Sequence, residues 1–252
     1  MKKIRFGVNY IPSKNWLHNW INWDAKSVEE DITEIKKIGI DHIRAHLMWH
    51  YFQIDPNVMS PSCMEHLREF CDICDRLEMD YCLTLFNGFV SGQFFYPAWM
   101  KNYTGAFGEG MFNNPDIISA QKFYIRNIAK VVENRPHFIG FDLGNELPII
   151  IDTDDKTVTK EECDQWNCIM LDLCEEVAPN KLHNNGVDGM PWISVWGFSR
   201  ETLANTGAIT PLHCYALFTQ ALARYGRNSE ESVHLAPMMM EIARAYCDNP
   251  DR

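Results

Sequence analysis

The sequence predicts an α/β fold, a (β/α)8 TIM-type barrel apparently cut short after about six βα units, and three observations predict it. Short apolar or β-branched runs give way repeatedly to a loop and then to an amphipathic helical pattern, the alternation of parallel strands covered by helices. No G-x-G-x-x-G turn follows any run, and after Val8-Asn9-Tyr10 comes Ile11-Pro12-Ser13-Lys14, which argues against an open nucleotide-binding sheet. With 252 residues and 46% hydrophobic content the chain can bury one large core, and it reads as a single domain over 1–252 without linker, repeat or low-complexity tract. A closed barrel needs about eight strands, so strands seven and eight are expected to be missing.

The strand candidates in chain order are Arg5 to Tyr10, His42 to Leu47, Tyr81 to Asn87, Phe138 to Gly144, Leu182 to Val187 and Leu212 to Leu217. Between the first two, Ser27 and Glu30 stand at capping-box spacing ahead of Val28, Ile32, Ile35 and Ile38, and Gly39 ends the helix. The second helix carries Cys63, Leu67, Phe70, Cys74 and Leu77 on one stripe, so Cys71 and Cys74 read as core packing rather than a redox or metal pair. Asn114-Pro115 opens the third, a cap followed by proline at the first helical position, with Ile117, Ala120, Tyr124, Ile128 and Val131 facing inward. The fourth shows Trp166, Ile169, Leu173 and Val177 and stops at Pro179. A short fifth lies near Ser199 to Asn205, and the last runs from Ser229 with Val233, Ala236, Met240, Ala243 and Cys247 in register, Pro237 delaying or kinking its start. The loops Phe89 to Phe112 and Asp188 to Phe198 are long and aromatic, and long ordered loops at strand C-termini are usually functional.

A net charge of -11 disfavours nucleic acid as a partner, and no apolar run reaches membrane-spanning length. Met1-Lys2-Lys3 leads directly into Ile4-Arg5-Phe6-Gly7, too short and polar for a secretion signal. The odd number of cysteines, nine, lies in helices and strands rather than a loop-rich framework, which fits a reducing compartment; a cytoplasmic location is expected. There is no H-x-H on the first strand, no H-E-x-x-H and no G-x-S-x-G elbow, so neither a metal, a cofactor nor a serine nucleophile is expected.

The chemistry points elsewhere. Asn145-Glu146 ends the apolar run Phe138-Ile139-Gly140-Phe141-Asp142-Leu143-Gly144, placing an amide and a carboxyl at the C-terminal mouth of a buried strand, where a barrel enzyme keeps its site. Glycoside hydrolysis needs such an acid to protonate the departing sugar oxygen, a second carboxylate, and a donor for the sugar hydroxyls; the same dipeptide also suits a helix cap. Arg44 sits inside the second strand, where a charge must be paired, either with a carboxylate at the mouth or in a structural bridge to Asp142. His213 and Tyr215 alternate on the sixth strand and share a face, able to orient a carboxylate or touch sugar. Trp192 and Trp196 are either ring platforms for a pyranose or plugs in the barrel top, while His46 and His50 read as packing or hydrogen-bonding residues.

Taken together, Arg44, Trp49-His50-Tyr51-Phe52-Gln53-Ile54-Asp55-Pro56, Leu83-Thr84-Leu85-Phe86-Asn87-Gly88, Pro97-Ala98-Trp99, Leu143-Gly144-Asn145-Glu146 and His213-Cys214-Tyr215 resemble the retaining glycosidase clan with glutamates on strands four and seven, above all glycoside hydrolase family 5 with its cellulase and β-mannanase members. The resemblance covers nearly the whole chain. It implies a carbohydrate substrate with β-linked, β-1,4 hexose units, Glu146 as acid/base, Asn145 on the sugar 2-hydroxyl, and Arg44, His213 and Tyr215 supporting nucleophile and substrate. In the family the nucleophile is a Glu ending strand seven, and after the last helix this chain offers only Asp248-Asn249-Pro250-Asp251-Arg252; Glu241 falls within a helix. The expectation is a catalytically incomplete hydrolase, with a non-catalytic carbohydrate-binding pseudoenzyme as the alternative. Unclosed first and sixth strands would leave raw edges that invite homo-oligomers.

Overall fold

The computed structural model describes residues 4–106, 108–153, 157–194, 197–215, 224–226 and 229–249. Strands β1 (Gly7–Tyr10), β2 (His42–His46), β3 (Asp80–Phe86) and β4 (Phe138–Gly144) pair side by side in sequence order, all parallel. Parallel neighbours need crossovers, and α1 (Ala25–Lys37), α2 (Pro61–Arg76) and α3 (Pro115–Val132) supply them, with α4 (Lys160–Val177) following β4. Each of these helices packs on the next, α1 on α2, α2 on α3 and α3 on α4, forming an arc outside the strands. This is the α/β construction of a barrel wall.

The core lies between that arc and the sheet. Val28 and Ile32 of α1, Leu67, Phe70 and Cys74 of α2, Ile117, Tyr124 and Ile128 of α3, and Trp166, Met170 and Leu173 of α4 are buried against Ile43, Tyr81, Leu83 and Phe141. Full burial of one such side chain contributes roughly 1.5–3 kcal/mol. Cys71 and Cys74 are free thiols within this layer, and burial pushes Cys71 up to about 12, so neither presents a thiolate at neutral pH.

Local chemistry sets the helix boundaries. Asn114 Oδ1 accepts the N–H groups of Asp116 and Ile117 at 3.0 and 3.3 Å, with Pro115 at the first position, as the sequence predicts. The first helix differs: its cap is Asp24, whose carboxylate accepts the Ser27 N–H at 3.1 Å, and Ser27 lies buried inside. In α4 a full capping box forms between Thr159 and Glu162. The final helical region is two pieces, Glu230–Val233 and α6 (Leu235–Ala245), after the short α5 (Arg200–Asn205). Because the helix restarts beyond His234, its buried stripe is Leu235, Met239 and Ala243, whereas the predicted Val233 and Met240 are 74% and 55% exposed.

The predicted fifth and sixth strands are corrected. Leu182 to Val187 does run parallel beside β4, with Leu182 N to Ile139 O at 2.6 Å, Asn184 N to Phe141 O at 2.9 Å and Leu143 N to Asn184 O at 2.9 Å. Only one bridge, Asp142 with Asn184, is regular, because the chain turns left-handed at Gly186, φ 63°. Residues 211–215 form no strand, and 216–217 lie outside the described residues. No described helix is long and apolar enough to cross a membrane.

Candidate active site

Strand pairing puts Arg44, Thr84 and Asp142 on adjacent strands near the C-terminal end of the sheet, Thr84 directly beside Asp142. The Asp142 carboxylate, 2% exposed, takes an ion pair from Arg44, and its Oδ2 accepts the Thr84 hydroxyl at 2.9 Å. Of the two pairings expected for Arg44, the structure shows the bridge to Asp142. Besides Asp142, its guanidinium donates to Gly144 O and Asn145 Oδ1, each at 3.0 Å, and to Asn9 Oδ1 at 3.3 Å. A guanidinium offers five N–H donors in a rigid plane, which is why one residue can tie β1, β2 and the end of β4 together.

Asn145 is thereby held from both ends, since its Nδ2 donates to Phe89 O at 2.7 Å and its backbone N–H to Phe86 O at 3.1 Å. Glu146 follows with φ 55°, a left-handed conformation that costs a non-glycine residue on the order of 1 kcal/mol and clusters at functional sites. Its N–H bonds Gly186 O at 3.0 Å, and its carboxyl Oε1 lies 3.1 Å from His213 Nδ1, with the side chain 21% exposed. The glutamate thus faces inward with a defined partner.

His213 and Tyr215 come together without the predicted strand, their rings edge-to-face at 6.2 Å; Tyr215 is 50% exposed. Trp192 is the plug rather than the open platform: it is 1% exposed, in the short helix Met190–Ile193. Trp196 lies outside the described residues. His46 is a hydrogen-bonding residue, its Nδ1 2.8 Å from Asn87 Nδ2, and burial first, with the Arg44 charge second, holds its imidazole well below the usual range. His50 stacks on Phe95 at 5.4 Å, and burial pulls it down to about 4.

Sequence reasoning missed Thr84 and Asp188. Thr84 stands between Leu83 and Leu85 in an apolar strand, and that single polar residue was the available signal. Asp188 is 6% exposed, its Oδ1 accepting the Met190 N–H at 2.9 Å. Burial, opposed by that bond and reinforced by the Glu146 charge, lifts its carboxyl to about 6. In the segment after β1, Asn15 and Trp16 are both left-handed, φ 64° and 46°, and Trp16 is 40% exposed. Among the described residues no cluster of potential ligands could hold a metal ion.

No family model matches the chain, and no curated protein does. Solved structures do. A single-residue variant of GH5_18 from Streptomyces cattleya in complex with Manβ1-4GlcNAc superposes with a TM-score of 0.92 at 31% identity, over 99% of this chain and 60% of that one. GH5_18 from Bifidobacterium longum subsp. infantis gives 0.91 at 29%, over 100% and 60%. The exo-beta-1,4-mannosidase Op5Man5 from an Opitutaceae bacterium, strain TAV5, gives 0.68 at 25%, over 76% and 33%. The chain therefore spans about 60% of the length of the GH5_18 proteins it matches.

Proposed function

From a chain whose fold is glycoside hydrolase family 5-like, we propose a retaining hydrolase of β-linked hexosides, with a β-1,4-linked mannoside such as Manβ1-4GlcNAc as substrate class. The observation that carries the proposal is Glu146: a carboxyl at the C-terminal mouth of β4, turned inward by a left-handed backbone onto His213. In this reading protonated Glu146 gives its proton to the glycosidic oxygen as the C–O bond breaks, and the resulting carboxylate then takes a proton from the water that releases the sugar. His213 fixes the carboxyl's orientation, and Tyr215 lines the same side. In this reading Asn145 meets a sugar hydroxyl; its fixed orientation, with Oδ1 accepting from Arg44 and Nδ2 donating to Phe89 O, supports that role.

Retention requires a second carboxylate about 5 to 5.5 Å away to form the glycosyl-enzyme bond. Among the described acids at the mouth, Asp142 is engaged by Arg44 and Thr84, and Asp188 stands on the segment next to Glu146. Glu241 is 72% exposed on α6. That distribution favours one second reading, a carbohydrate-binding protein without turnover. Calorimetry with manno- and cello-oligosaccharides beside a reducing-sugar assay separates the two: turnover that Glu146→Gln suppresses supports the hydrolase, and binding without turnover supports the alternative. Hydrolysis unchanged by Glu146→Gln removes Glu146 as the acid.

A further inference from the structure

His46 is the last residue of β2 and shares a face of that strand with Arg44, two positions earlier. Its residue is only 8% exposed, and its neighbours decide what each ring nitrogen does. The Asn87 amide nitrogen lies 2.8 Å from Nδ1, so Nδ1 accepts from that amide. Burial and the Arg44 charge keep the imidazole neutral at neutral pH, and its one proton therefore sits on Nε2. Among the described residues the polar group beside Nε2 is Arg44 Nη1 at 3.5 Å, a second donor. A guanidinium accepts nothing. Nor has Nη1 a hydrogen to spare, because its two go to Asn145 Oδ1 at 3.0 Å and Asn9 Oδ1 at 3.3 Å. Nε2–H is thus a donor without an acceptor among the described residues, next to a cation that favours an oxygen there.

We propose that His46 is a substrate-binding residue whose Nε2–H donates to a hydroxyl oxygen of the sugar held against Glu146. The inference rests on the reading of Glu146 as the acid of a glycosidase site. Arg44 connects the two places, since the Nη1 that stands beside Nε2 also holds Asn145, the residue before Glu146. His213, which meets Glu146 at 3.1 Å, is near enough to His46 for their charges to interact. A hydroxyl oxygen suits this spot because it accepts with two lone pairs and brings no positive charge toward Arg44. The converse arrangement turns the Asn87 amide so that Oδ1, which has no partner in this structure, accepts from Nδ1–H. Nε2 would then be an acceptor, but Nη1 has no hydrogen left to give it.

Two measurements on the full chain test this. In two-bond proton–nitrogen correlation spectra of isotope-labelled histidine at neutral pH, His46 is expected to show a protonated Nε2 and a bare Nδ1. Saturating Manβ1-4GlcNAc is expected to shift the Nε2 signal without changing that tautomer. A protonated Nδ1 overturns the proposal, as does an Nε2 signal unmoved by a disaccharide whose binding saturation transfer reports. By calorimetry, His46→Phe should weaken the disaccharide by about 3–10-fold, and His46→Gln, whose amide N–H reaches toward the Nε2 position, by less. Equal affinity in His46→Phe and the parent chain overturns it as well. The spectra use the unsubstituted chain, so they decide the matter even where His46→Phe does not fold. A shifted Nε2 without turnover keeps this inference and removes hydrolysis; turnover that Glu146→Gln suppresses, with Nδ1 protonated, does the reverse. Absence of any sugar binding removes both.

Discussion

Arg44→Met tests whether the ion pair under the site is a structural necessity. Asp142 is 2% exposed, its Oδ2 accepts from Arg44 and Thr84, and its Oδ1 has no hydrogen-bond partner. Methionine fills a similar volume and supplies no donor, so the carboxylate is left with the Thr84 hydroxyl alone. Breaking one half of a buried pair costs about 3–5 kcal/mol, against less than about 1 kcal/mol for an exposed pair. At roughly 2–4 °C per kcal/mol for a domain of this size, Tm should drop by about 6–20 °C. Urea unfolding followed by far-UV circular dichroism gives the free energy directly, and Arg44→Met/Asp142→Asn should recover at least half the loss because no charge is then stranded. A loss below about 1 kcal/mol, or additive losses in the double variant, would refute the argument.

Gly186→Ala should destabilise by more than about 2 kcal/mol in the same assay, since it combines a left-handed φ of 63° with a collision against Gly144 O; a neutral effect would mean the segment is not held against β4. Acid stability has a worked sign. The folded value of His50 is pulled from 6.5 down to about 4, so the unfolded chain binds the proton first and stability falls as pH drops through that window. His50→Phe should flatten the urea midpoint between pH 6.5 and 4. Asp188 acts in the opposite sense, its folded value raised from 3.8 to about 6, so Asp188→Asn should steepen the acid loss; equal pH slopes in all three proteins would contradict both assignments.

Strand β4 was legible because a strand buried along nearly its whole length writes a largely apolar run, and Asn114-Pro115 was legible because capping depends on local residues alone. Ser27 misled for the same local reason: its backbone N–H is the group being capped, and Asp24, three residues earlier, supplies the oxygen. The stripe of α6 was misread because the break at His234 resets the helical phase, which spacing counted from Ser229 carries through unbroken. Strand-like residues at Leu182 to Val187 do reach β4, yet the turn at Gly186 is a tertiary fit against Gly144 that no propensity encodes. Of the site, Arg44 and Glu146 announced themselves by placing charge in or after apolar strands. The burial of Asp188 and Trp192 depends on how the following loop folds back, and pattern alone does not carry that.

The most direct test of Glu146 as the acid of a retaining site is a proton NMR time course of Manβ1-4GlcNAc mixed with the chain, with saturation transfer recorded from the same sample. The account predicts transfer to the sugar ring protons and mannose appearing first as the β anomer, with Glu146→Gln keeping the transfer and slowing release by about 10²–10⁴. Mannose released as fast by Glu146→Gln as by the parent chain, or no transfer from either, would contradict it.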